Sequence, residues 1–112
     1  MKYFIKIATS IVLFFTMSMS VHAYSVTGTV LKIAAENLYV GGCMVQLSKP
    51  IGNGCTGNWV SLDCQEKYSS GGDRKYSTAM LGFSLNKSVT VYYDAKQKHG
   101  TTCVAKRLDV LQ

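Results

Sequence analysis

Val89-Thr-Val-Tyr-Tyr-Asp94, Ala95-Lys-Gln-Lys-His-Gly-Thr101 and Thr102-Cys-Val-Ala-Lys-Arg-Leu-Asp-Val-Leu111 form the stretch that decides the fold. Two runs rich in β-branched and aromatic residues flank a short basic segment ending in Gly100, which is the pattern of a β-hairpin. In the first run Val89, Val91 and Tyr93 alternate with Thr90, Tyr92 and Asp94. In the second, Val104, Leu108 and Val110 alternate with Cys103, Ala105, Arg107 and Asp109, so Lys106 falls on the apolar side. Either Lys106 lies at an open rim or a bulge shifts the phase there.

Working outward, a helix is predicted before the hairpin. Asp73, or one of Ser69 and Ser70, is placed to cap it, and Tyr76, Ala79, Met80 and Phe83 recur at the spacing of one buried stripe. Leu81 and Leu85 widen that stripe, Gly82 allows close approach to a sheet, and Asn86 is placed to close the helix. Gln65 to Gly72 reads as a polar connector.

Three strands precede it. Ser25 to Ile33 alternates with Val26, Gly28 and Val30 on one face, then shifts so that Leu31 and Ile33 lie on the other. A strand that changes its buried face is bent or bulged, and a bent strand serves two sheets, as a small barrel requires. Ala35-Glu-Asn37 supplies a turn. Leu38-Tyr-Val40 and Cys43-Met-Val-Gln-Leu-Ser48 read as a second strand interrupted at Gly41-Gly42. Lys49-Pro-Ile-Gly-Asn-Gly-Cys-Thr-Gly57 reads as an exposed loop. In the third strand, Asn58-Trp-Val-Ser-Leu-Asp-Cys64, Val60, Leu62 and Cys64 point inward while Trp59, Ser61 and Asp63 point outward.

The amino-terminal segment reads as a secretory signal peptide. Met1-Lys-Tyr-Phe-Ile-Lys6 is basic, Ile7 to Met19 is mostly apolar, and Val21-His-Ala23 matches a peptidase site, placing the cut after Ala23. The apolar run is short for a membrane span, so none is expected after cleavage. Of the 112 residues, 89 then remain, enough for one domain over 24–112. Losing Lys2 and Lys6 lowers the basic count from 12 to 10 against 6 acidic residues, so net charge falls from +6 to +4. The remaining basic residues are scattered, which argues against a nucleic-acid partner.

All four cysteines lie in the exported part, where two disulfides are expected. A hairpin in which Leu47 faces Val60 and Val45 faces Leu62 sets Cys43 opposite Cys64, leaving Cys55 for Cys103. A Cys64–Cys103 bridge is the alternative pairing. A four-cysteine zinc site competes poorly, because no CxxC spacing occurs.

The element order is three strands, one helix and two strands. It is the topology of the OB-fold, a five-stranded, partly open Greek-key barrel. The expected class is therefore mainly β with one helix, a small OB-like barrel stapled by disulfides. With a signal peptide and a cysteine on a late strand, this chain resembles the B subunits of five-B-subunit bacterial toxins. Gly28-Thr-Val30, Val89-Thr-Val91 and Cys103 also resemble small secreted bacterial proteins. The resemblance spans the whole exported chain at the level of topology, and no sugar-binding motif carries over residue by residue. It implies a ring-forming subunit that binds host glycans.

The residues themselves point away from catalysis. His99 is the one histidine after Ala23, and loop solvation is its ordinary reading. A pairing with Asp94 or Asp109 would lack a nucleophile, and no elbow motif, metal-ligand cluster or cofactor motif appears. Asp63, Glu66 and Asp73 read as surface charges. Binding fits better: Trp59 on an outward strand face, Tyr92 and the segment Lys96 to His99 supply an aromatic platform with polar neighbours. The candidate ligand-binding set is Trp59, Tyr92, Asp94, Lys98 and His99, for a glycan or a protein partner. An alternative role is that of a monomeric exported inhibitor or accessory protein of the bacterial envelope.

Overall fold

The computed structural model describes residues 23–35 and 38–112. The expected signal peptide lies outside the described residues except for Ala23, as does the tip of the turn after Ala35. Five strands, β1 (Ala23–Ala35), β2 (Cys43–Leu47), β3 (Trp59–Ser61), β4 (Ser88–His99) and β5 (Thr102–Val110), and one helix, α1 (Gly72–Ser84), make up the fold. The strands close into a barrel in the order β1-β2-β3-β5-β4. All neighbours are antiparallel except β3 and β5, which meet in parallel at Ser61 and Val104. This is the OB-like architecture that the element order predicts.

β1 is shared between two partners. Residues Ala23 to Thr29 pair with β4, and Val30 to Ala35 pair with β2. The predicted change of face occurs at a bulge between Val30 and Lys32. The extra residue, Leu31, is left 53% exposed, after which Ile33 packs against the core. Leu38–Val40 forms a 3-10 turn where a strand is expected. Gly41 and Gly42 explain the difference: both have positive φ, which ends extended structure before Cys43.

The β2–β3 register is two residues away from expectation. Val45 pairs with Val60, Gln46 with Trp59 and Met44 with Ser61. Because side chains alternate with a period of two, this slip keeps the same faces inward, and Val45, Leu47, Val60 and Leu62 are all fully buried. The Cys43–Cys64 bridge forms all the same, with Cα atoms 5.6 Å apart. The chain turns beyond β3, where Asp63 has φ 56°, and the turn carries Cys64 back to Cys43. Cys55 is joined to Cys103, Cα atoms 5.4 Å apart, so no thiol remains to bind zinc.

On β4 and β5 the misfit at Lys106 is resolved by a bulge, since Tyr92 pairs with Arg107 and Tyr93 with Ala105. The bulge moves Ala105 and Cys103 inward and turns Val104 outward, yet Val104 is fully buried where β5 meets β3 at Ser61. The hairpin tip is shorter than expected: β4 runs to His99, leaving Gly100 and Thr101 as the turn.

Helix α1 has the predicted length but not the predicted seating. Its buried line is Gly72, Lys75, Ala79 and Gly82, rotated from the expected stripe of large side chains. Small residues let the helix backbone approach the barrel. A Cβ on Gly72 would meet the Asp63 carbonyl oxygen and come within 2.5 Å of the Cys64 Cα, while one on Gly82 would lie 2.8 Å from a Val89 methyl. Tyr76 packs at the edge of the core, but Met80, Leu81, Phe83 and Leu85 remain 45–55% exposed on the flanks. No side chain among Asp73, Ser69 and Ser70 caps the helix. The cap is Gly71 at φ 77°, and the Glu66 carboxylate accepts the N–H groups of Gly71 and Gly72 at 2.9 and 3.4 Å. At the other end Asn86 closes α1 as expected. Its φ is 53°, the Lys87 N–H reaches the Gly82 carbonyl and its own N–H reaches Phe83, a Schellman arrangement.

Candidate functional site

Two regions concentrate polar chemistry, and they meet at the end of β4, where Lys98 belongs to the first and His99 to the second. The first is the end of the barrel where the β2–β3 loop meets the β4–β5 hairpin. The loop reads as exposed in sequence, but it is anchored at five points. Ile51 is buried, and its carbonyl accepts the buried Tyr93 hydroxyl at 2.7 Å. Asn53 Nδ2 donates back to that hydroxyl at 2.8 Å, so one phenol holds two loop residues from inside the barrel. Cys55 is tied to Cys103, the Thr56 N–H donates to the Thr101 carbonyl at 3.1 Å, and Lys98 Nζ donates to the Gly54 carbonyl at 3.1 Å. Within the loop, the Ile51 N–H meets Gly57 and the Cys55 N–H meets Gly52, each at 3.0 Å. Gly52, Gly54 and Gly57 have positive φ, so the tight path suits glycine.

At the base of this loop Ser48, Lys49, Pro50, Gly57 and Asn58 line a shallow cleft of about 250 Å³. Asn58 is fixed by its own bonds, donating to the Leu47 carbonyl at 2.7 Å and accepting from Gln46 Nε2 at 3.3 Å. Trp59, partly buried, follows directly as the first residue of β3. Trp59 thus adjoins the lining residue Asn58 in sequence without itself lining the cleft, whose walls are already ordered.

The second region is a buried polar cluster on the outer face of β3 and β5. Asp63 is fully buried and accepts four hydrogen bonds: Lys67 N–H at 3.1 Å, Tyr68 N–H at 2.6 Å, Ser69 N–H at 2.9 Å and His99 Nε2 at 2.8 Å. Burial pushes the Asp63 carboxyl up, but the Tyr68 N–H, the His99 ring and the N–H groups of Ser69 and Lys67 together outweigh it. The carboxyl is held below its ordinary value. Tyr68 packs edge-on against His99, and Ser61 Oγ bridges the Val40 carbonyl and the Asp63 N–H. Gly41 sits against this group so closely that a Cβ there would lie 2.6 Å from His99 Nε2.

Lys75 extends the cluster from the helix. Its ammonium donates to Ser69 Oγ and, at 2.7 Å, to the Ala105 carbonyl, pinning α1 and the connector to β5. Burial lowers the Lys75 pKa, an effect that Asp63 and Glu66 oppose.

The candidate residues do not converge on one point. Trp59 and Tyr92 lie on β3 and β4, with β5 between them. Tyr92 pairs with Arg107, whose guanidinium lies 5.1 Å from its ring centre and is bound to Asp109 at 2.9 Å. Asp94 sits opposite Ala23 and Val104 and takes the Lys96 N–H at 2.9 Å. Lys98 belongs to the loop anchor. His99 is a correction to the exposed-loop reading: only 9% exposed, it pairs with Asp63 and with neither Asp94 nor Asp109. Asp63 is likewise no surface charge.

Sequence reasoning missed Asp63, Glu66, Lys75 and Tyr93. Asp63 and Glu66 both have positive φ, a property the residue names do not announce, and Lys75 gives no sign in sequence that it sits on the buried line. Among the described residues, no group of three or more His, Cys, Asp and Glu side chains is arranged to hold a metal ion, and no helix is long and apolar enough to cross a membrane. No protein family matches the chain, nor does any curated protein or solved structure.

Proposed function

We propose that this is an exported binding protein, lectin-like or toxin-B-subunit-like, which recognises a glycan at the barrel end built from the β2–β3 loop and the β4–β5 hairpin. The observation that carries the reading is the ordering of that loop. A disulfide, a buried isoleucine and a bridging tyrosine fix its shape before any ligand arrives, so little conformational freedom is left to lose on binding. The cleft beside it has the scale of a single small group such as one sugar ring, and Trp59 offers the aromatic surface on which sugars stack. Export is supported by the signal-like amino terminus and by two disulfides, which persist in oxidising compartments.

A glycan array probed with the oxidised chain, followed by titration of the Trp59 fluorescence with any glycan bound, tests this. Saturable binding that Trp59→Ala weakens at least tenfold supports the site. An array without a hit, or a hit indifferent to Trp59, contradicts it.

A second reading, an exported inhibitor or accessory protein acting on a protein partner, is favoured by the helix. Met80, Leu81, Phe83 and Leu85 leave much of their surface in water, and several large apolar side chains exposed on one element suit protein contact. Light scattering separates the two, since the toxin-like reading expects a ring and the inhibitor reading a monomer.

A further inference from the structure

The predicted cleavage site coincides with the first rung of the barrel. Ala23 is paired with Asp94, and Tyr24 with Tyr93, so the Ala23–Tyr24 peptide bond lies between two paired residues of β1 and β4. Tyr24 is held there by its ring, whose centre lies 5.8 Å from that of the fully buried Tyr93.

Hydrolysis of that bond consumes one water, leaves a carboxylate on Ala23 of the departing leader, and leaves an amine on Tyr24. The amine is protonated at neutral pH. Its nitrogen is separated from the former Ala23 Cα by only two bonds, and Ala23 is the residue directly across from Asp94. Opposed residues in an antiparallel pair have Cα atoms about 4.5–5.5 Å apart. The new ammonium therefore arises within reach of the Asp94 side chain. Asp94 is partly exposed, and one of its oxygens, Oδ1, takes the Lys96 N–H at 2.9 Å. A carboxylate offers about four acceptor positions, so one such bond leaves capacity for an ammonium. The charged side chains on the flanking strands are Lys32 on β1, Lys96 and Lys98 on β4, and Lys106, Arg107 and Asp109 on β5. None of them shares a register pair with Asp94.

We propose that removal of the leader after Ala23 creates an amino terminus at Tyr24 that the Asp94 carboxylate binds, so that processing adds a cross-strand ion pair to the β1–β4 ladder. Asp94 is then the receptor for the chain's own terminus rather than part of a ligand site. The inference rests on the exported reading, and its test keeps the two apart. Intact mass of the chain exported by a bacterial host reports the processing site, and a first residue other than Tyr24 overturns the exported form of the proposal. Independently, a chain released from a fusion so that it begins at Tyr24 is titrated by NMR. The Tyr24 α-amino group is expected to titrate at least about half a unit above the usual ~7.7–8.0 and to return to that range in Asp94→Asn. Equal midpoints in wild type and a folded Asp94→Asn variant overturn the pairing, whatever the mass shows.

Discussion

At the scale of single residues, Asp63 has the largest structural consequence. One carboxylate satisfies three consecutive main-chain N–H groups of the connector and a buried imidazole. Asp63→Ala leaves the partly buried connector donors and the buried His99 ring without this partner, and we expect a loss of about 3 kcal/mol in chemical denaturation. The same group sets the acid limit of the fold. Its pKa is lowered on folding, so its contribution is complete above the unfolded value of about 3.9 and is lost as pH falls through the folded value. Stability measured against pH should therefore fall steeply below about pH 4 in wild type and more shallowly in Asp63→Asn. His99→Ala removes a buried ring and one of the partners of that carboxylate. A loss of about 1–3 kcal/mol is expected, where a solvated loop histidine would give almost none. The sequence places His99 beside a glycine in a basic run, which is why it reads as a loop. Its burial depends on Asp63, 36 positions earlier, and no local pattern reports that distance.

At the scale of elements, the helix shows what periodicity does and does not carry. Tyr76, Met80 and Phe83 mark α1 as a helix, and Asn86 marks its end, both correctly. The phase is wrong because apolar size is a poor guide where backbones touch: Gly72, Ala79 and Gly82 face the barrel, and the larger side chains splay to either side. Gly72→Ala drives a Cβ into the backbone at Asp63 and Cys64, and we expect about 2 kcal/mol of destabilisation or more, read as a lower thermal midpoint. A glycine chosen only for helix flexibility would instead gain slightly on the same change. The strands were more legible. The bulges at Leu31 and Lys106 are both announced by a break in alternation, since one extra residue reverses every later side chain. The two-residue slip between β2 and β3 was not legible, because a shift of two leaves the inward set unchanged.

At the scale of the whole molecule, the disulfides divide the work between the barrel and the β2–β3 loop. Cys43–Cys64 secures the turn after β3, whereas Cys55–Cys103 holds the β2–β3 loop to the last strand. The pairing was within reach of sequence reasoning through the β2–β3 hairpin, although the register is two residues from that expected and Cys64 meets Cys43 through the turn after β3. The anchoring of the loop by Tyr93 was not, since it depends on barrel closure. Cys103→Ser opens a bridge across 48 positions, and a loss of about 2–4 kcal/mol under oxidising conditions is expected, with no difference once both proteins are reduced. The central claim is that this loop is ordered in advance for recognition. It is tested most directly by comparing glycan-array binding of wild type with that of the double variant Cys55→Ser/Cys103→Ser, after NMR has shown that the variant retains its dispersed strand signals. The account predicts a folded variant whose binding falls at least tenfold. A folded variant that binds as tightly as wild type would contradict it.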